Sequence, residues 1–301
     1  MTYSIVARDR ETGELGVAVQ TRYFGVGSVV PWAEPGVGAV ATQSFAEISY
    51  GPKGLALMRD GASAADALSR LVAEDDGERM RQVAMVDASG GVAVHTGNGC
   101  VRAAGSVTGD AASAQANMME RDTVWGAMLE AYASATGDLA DRLMAALRAA
   151  EGEGGDMRGR QSAALLVVPA AGDPWTRRFD LRIEDHRDPV GELDRLLVLA
   201  RAFEHVGTGL DLAGEMSFPE ALVEFDRAAE LAPDDDLVAF FRAVMLAPNG
   251  RPLEAREELD RIRTVNPRWG AYLWRSAEAG LGPNDPDFLQ ALAPLGPEDA
   301  R

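Results

Sequence analysis

The sequence predicts an α+β chain in two parts. Residues 1–186 read as two stacked sheets with a helix pair on each outer face, a four-layer αββα arrangement, and residues 190–301 as an all-α helical-repeat domain. Two observations carry this. In the first part the elements arrive in blocks: strands, two helices, strands, two helices, strands. A parallel doubly wound sheet takes one helix per crossover, so helices in pairs argue against it. In the second part the chain repeats itself at an offset of 34 residues.

Taken in order, TYSIVARD at the start is alternating and β-branched, and the turn-like Arg10–Gly13 joins it to ELGVAVQT as a hairpin. GVGAVATQ, residues 36–43, is a further strand, rich in glycine where a backbone or ligand approaches closely. Pro52 sits in the first turn of a helix that ends at Gly61. Ser63 caps a second helix with Ala64, Ala67, Leu68, Leu71 and Val72 on one stripe. RQVAMVD and VAVHTG form the next hairpin, and shorter strands are expected at 101–108 and 112–118. A helix pair at about 120–135 and 138–151 follows, then a Gly-rich loop, 152–161, and the strands SAALLVVP and RRFDLRIED.

From Val190 the pattern is helical. Ala221 and Ala255, Phe225 and Leu259, and Pro233 and Pro267 are each 34 apart. That is the tetratricopeptide period, with small Ala where paired helices approach and Pro where the second helix stops. Flanking helices at about 190–210 and 268–279 would complete one stack.

Composition bounds the function. Apolar residues make up 47% and charged residues 25% of 301, an ordinary globular balance. The net charge of −18 repels phosphate backbones, which argues against nucleic-acid binding. Residues 190–301 carry net −10 of it, so the shorter part is the more acidic. No apolar run is long enough for a bilayer and no signal-peptide pattern opens the chain, so the expected address is the cytoplasm, with no membrane contact. Cys100 is the single cysteine, which excludes an intramolecular disulfide and a cysteine metal cluster. P-loop, His-Glu-x-x-His, Gly-x-Ser-x-Gly and EF-hand signatures do not occur, and neither metal nor cofactor is expected.

The chemistry-bearing feature is Met1-Thr2. A small second residue favours removal of the initiator Met, which exposes Thr2. An N-terminal Thr carries a nucleophilic hydroxyl and, in its own α-amine of pKa about 8, a base. The bland alternative is an ordinary strand start.

TYSIVARDRETGELGVAVQT, VGSVVPWAEPGVGAVATQ, YGPKGLALM, QVAMVDASGGVAVHTGNGC, AQANMM and GDMRGRQSAALLVV occur in this order. Together they resemble the Ntn-hydrolase-like family known as domain of unknown function ten-twenty-eight, over most of residues 2–185. The resemblance implies the αββα fold of proteasome β-subunits and N-terminal-nucleophile amidases. It gives Thr2 the nucleophile role and Asp156, in the loop before a late strand, the orientation of the terminal amine. The Ser-Gly that commonly follows such an Asp is Gly159-Arg160 here, and Lys53 opens a helix where proteasome-type sites carry a Lys on an early strand. The family is often followed by a short extension; this chain has repeats instead.

Other polar residues carry two readings each. Ser4 shares a strand face with Thr2, lining the same cleft or satisfying a neighbouring strand. Gln43, at a strand end, lines the cleft or the core. His95 is a base or a structural hydrogen-bonder. Asn117 donates to an oxyanion, as Asn does elsewhere in the superfamily, or satisfies a strand end. Arg158 and Arg160 hold an anionic substrate group or form a solvated loop. The leading expectation is a hydrolase of an amide or amidine-like C–N bond in a small molecule or small peptide, with the repeats binding a protein partner or mediating self-association. The rival is a catalytically silent scaffold that binds a metabolite or protein.

Overall fold

The computed structural model describes residues 2–279 together with 289, 290 and 292. Met1 and the C-terminal end of the helical domain predicted for 190–301 therefore lie outside the described residues. The chain divides into two compact units after Leu196. It is a mixed α+β protein with antiparallel sheets and a C-terminal helical region.

In the first unit, β1 (Thr2–Arg8), β2 (Leu15–Thr21), β7 (Gly105–Gly109), β8 (Ala112–Asn117), β9 (Ser162–Val168) and β10 (Phe179–Ile183) form a sheet of order β10-β9-β2-β1-β8-β7. β3 (Pro31–Glu34), β4 (Gly38–Ser44), β5 (Arg81–Asp87) and β6 (Val92–Thr96) form a second, in chain order. The N-terminal hairpin is as expected, and β1 ends up between β2 and β8. β3 went unpredicted: it is four residues long, opens on Pro31 and has only β4 as a ladder partner. A Pro-led edge strand leaves little period-2 signal. β7 starts at Gly105, later than the 101 expected.

The two sheets face each other through Val6, Val17, Val19, Ala39, Ala41, Ala84 and Val86, all buried in one cluster. On the outer side of the second sheet lie α1 (Tyr50–Arg59) and α2 (Ala64–Ala73). Leu55, Met58, Ala67 and Leu68 pack there against Val40, Val83 and Met85. Ser63 accepts the Asp66 N–H, the cap expected from the sequence. α3 (Val124–Ser134) and α4 (Leu139–Gly152) pack against the first sheet. Gly16 lets α4 pack closely there: a Cβ would stand 2.7 Å from Leu143 Cδ1 and 3.1 Å from the Leu166 carbonyl oxygen, so Leu143 would have to shift.

The helical region comprises α5 (Pro189–Gly214), which begins within the first unit, α6 (Phe218–Leu231), α7 (Asp236–Leu246), α8 (Pro252–Val265) and α9 (Arg268–Glu278). The 34-residue offset is physical. Ala221 and Ala255 are fully buried, as are Phe225 and Leu259, and Pro233 and Pro267 each stand two residues beyond the end of α6 and α8. Phe240 stacks on Trp269 at 5.0 Å. No helix among the described residues is long and apolar enough to cross a membrane.

Candidate functional site

Four strands change character at one end of the space between the sheets, and a fifth, β8, is polar along its whole facing row. Strand side chains alternate, so each strand offers one row to the facing sheet. Those rows read Val6-Ser4-Thr2 on β1, Val17-Val19-Thr21 on β2, Ala39-Ala41-Gln43 on β4, Val86-Ala84-Gln82 on β5, and Ser113-Gln115-Asn117 on β8. All converge, by register, on the end where Thr2 pairs with Asn117 and Gln43 with Gln82. An apolar interface thus becomes polar at one end.

The polar groups are buried and closed on one another. Ser4 Oγ donates to Gln43 Oε1 at 2.7 Å and accepts Gln115 Nε2 at 2.7 Å. Gln82 Oε1 accepts both Gln43 Nε2, at 2.8 Å, and Asn117 Nδ2, at 2.9 Å. Gln82 Nε2 in turn donates to Ala116 O, at 2.9 Å, and to Thr96 Oγ1, at 3.0 Å. Asn117 Nδ2 and Gln43 Nε2 reach the Thr2 carbonyl at 3.4 and 3.3 Å. The amides therefore fasten β1 to the facing sheet. Thr2 itself is 5% exposed, and its hydroxyl donates to Thr21 Oγ1 at 3.2 Å.

A strap of residues 155–158 crosses the start of β1. Asp156 bridges to Met119 beyond β8, Met157 N donates to Met118 O, and Asp156 Oδ2 accepts the N–H of Arg22 beyond β2 at 2.9 Å. Since β1 lies between β2 and β8, the strap spans its N-terminal end. Asp156 is buried and also accepts Arg158 N at 2.9 Å and the Arg158 guanidinium at 3.0 Å. Behind the strap, the Tyr3 hydroxyl donates to Glu151. Burial, then the Glu151 carboxylate beside it, push the Tyr3 phenol well above its usual range, so it stays a donor.

The structure thus brings Thr2, Ser4, Gln43, Asn117 and Asp156 together. Asn117 directs its amide at Gln82 and the Thr2 carbonyl, so it holds the strand rather than facing open space. Arg158 is engaged by Asp156, and Arg160 by Glu151 and Asp188, so neither is a bare loop cation. His95 stands apart: its ring bonds the Glu78 carbonyl at 2.9 Å and carboxylate at 3.0 Å, which fits a structural part. Gln82, Gln115 and Thr21 escaped the sequence reading. The available signal was a lone polar residue in phase with an apolar row, visible in RQVAMVD, and a row of three polar side chains alternating with alanine in ASAQAN. Among the described residues no group of three His, Cys, Asp or Glu side chains could hold a metal.

Residues 2–193 match the profile of a family described as a family of unknown function, DUF1028. A crystal structure of protein SPO2555 from Silicibacter pomeroyi, assigned to the same family profile, is similar to this chain: 36% identity, a TM-score of 0.60, covering 65% of this chain and 84% of that one. No curated protein matches.

Proposed function

The chain belongs to the DUF1028 family, and from that premise we propose that it is an N-terminal-nucleophile hydrolase of a C–N bond, amide or amidine-like, in a small molecule or small peptide. The observation that carries this reading is the strap over the start of β1. With whatever precedes Thr2 removed, the new α-amine would emerge at the strand end that Asp156 caps, on the same residue as a hydroxyl of the polar row. A carboxylate there orients an ammonium or amine; the amine takes the hydroxyl proton as Thr2 Oγ1 attacks, and water later releases the acyl group. Asn117, Gln43 and Gln82 act by positioning Thr2. No metal or organic cofactor enters this scheme.

Two facing sheets with helix pairs packed outside them support the αββα, Ntn-hydrolase-like reading. The matched buried positions 34 residues apart support a tetratricopeptide-like repeat, which would serve a protein partner or self-association. One observation favours the rival, a silent scaffold: Thr2 is nearly buried and its hydroxyl already has a partner.

The test is N-terminal sequencing with intact mass, followed by an amide-hydrolysis screen of wild type and Thr2→Ala. A chain starting at Thr2, with turnover lost in Thr2→Ala at unchanged melting temperature, is the expected result. Quantitative retention of a residue before Thr2, or full activity in Thr2→Ala, would overturn the nucleophile assignment.

A further inference from the structure

The loops at the Thr2 end carry an unusual surface. Tyr23 and Phe24 follow β2, Phe45 and Ile48 follow β4, and Met157 sits on the strap; these five are 45 to 67% exposed. Among the described residues of the first unit, the remaining large, mostly exposed apolar side chains are Val101, at this same end, and Trp175, between β9 and β10 at the other. Six apolar side chains from four loops around one mouth make a patch that a lone soluble domain has reason to avoid unless something binds there.

Beside this mouth lies an open pocket of about 520 Å³, lined by Arg22, Arg160, Gln161, Asp185, His186 and Arg187. Arg22 is joined to the site directly, since its N–H bonds Asp156 and it follows Thr21. Arg160 is paired with acids, but among the described residues the Arg22 side chain donates only to Gln161 and Arg187 has no ion pair. The lining holds three guanidinium groups against one carboxylate, Asp185, and in a chain of net charge −18 that excess makes a local positive site.

We infer that the substrate is an amphiphilic amide, with an apolar group lying across the mouth of the two sheets and a carboxylate-bearing group reaching the Arg22–Arg187 pocket. This rests on the nucleophile reading above and names the substrate class for that site. Thr2 Oγ1 forms a bond to the carbonyl carbon while its proton passes to the Thr2 amine. The C–N bond breaks and the leaving amine takes that proton. Water then cleaves the resulting ester, giving the free acid and restoring the hydroxyl. No redox partner is needed. The paired guanidinium donors bind the carboxylate, and the aromatic rim covers the apolar chain.

The experiment compares N-decanoylglycine with its neutral counterpart N-decanoylglycinamide, using the full chain beginning at Thr2. The wild type is expected to favour the carboxylate by about tenfold or more in kcat/KM, as charge-assisted hydrogen bonds allow. The double variant Arg22→Gln, Arg187→Gln collapses that ratio towards one, and N-acetylglycine, lacking the apolar chain, is the slower carboxylate substrate. Equal wild-type rates on the two decanoyl amides, or a ratio unmoved in the double variant, overturn the substrate class while loss of both activities in Thr2→Ala still upholds the nucleophile. Should neither amide be cleaved, calorimetric titration of N-decanoylglycine into the Thr2→Ala chain decides. Binding that weakens in the arginine double variant supports the pocket and counts against the nucleophile, and no binding overturns the inference.

Discussion

Gln82→Met tests the inter-sheet amide network without touching Thr2. Methionine nearly matches glutamine in length and volume, so packing changes little and the hydrogen bonds change most. Gln82 Oε1 is the shortest acceptor of both Gln43 Nε2 and Asn117 Nδ2, at 2.8 and 2.9 Å. Without it these buried amides keep only contacts of 3.3 to 3.4 Å. Each stranded donor costs about 1–3 kcal/mol. Burying the methionine in place of an amide offsets roughly 1 kcal/mol. The net loss for the two donors is then about 1–5 kcal/mol, a fall in melting temperature of roughly 2–20 °C for a unit of this size. Calorimetry reads the shift, and hydrogen exchange should show protection lost first in β4, β5 and the β1 amides beside β8. A variant within about 0.5 kcal/mol of wild type would mean that the glutamines are not mutually dependent, and the account of how β1 is held would fall.

Two further outcomes are expected. Asp87 is buried, which alone would raise its pKa, but N–H donors from Ala64, Gly91 and Ser89 and the Ser89 hydroxyl hold it below the usual carboxylate range. A depressed folded pKa stabilises above the unfolded value of about 3.9 and loses that contribution as pH falls through the folded one. Asp87→Asn should therefore be destabilised at pH 7, with the gap to wild type closing in urea titrations as the pH is taken below 4; a constant gap would refute the assignment. Phe225→Ala empties a fully buried site in the helical region and should cost about 3–5 kcal/mol. A loss under 1 kcal/mol there would show that the 34-residue offset does not mark core positions.

Much of the element order was legible because long periodic segments announce themselves. The hairpin of β1 and β2, the Ser63 cap, the paired helices and the buried Ala221 and Ala255 could each be read from spacing. What was not legible is set by pairing between distant segments. The strap depends on Asp156 meeting Arg22, 134 residues away. The amide cluster depends on three glutamines from three strands arriving at one level, and nothing local distinguishes Gln82 from a surface glutamine except its phase. β3 was lost because an edge strand of four residues relies on one neighbour. Arg158 and Arg160 carry two readings in the sequence, anion holders or a solvated loop, and neither reading includes the ion pairs they make with Asp156 and Glu151. Arg22, the cation with no such acid, sits at a strand end where it reads as ordinary punctuation.

The placement of β1 also sets a clock. Its partner β8 and the capping Asp156 are made more than 100 residues after Thr2, the latter 154 residues later. At the roughly 5–20 residues per second of synthesis, the start of β1 stays uncovered for on the order of 10–30 s after it leaves the ribosome. On the nucleophile reading proposed above, an enzyme that trims the chain in front of Thr2 would have that interval in which to work before Asp156 is made. That reading then ties the free Thr2 amine to the rate of translation: slowing or hastening elongation should change the fraction of chains that begin at Thr2.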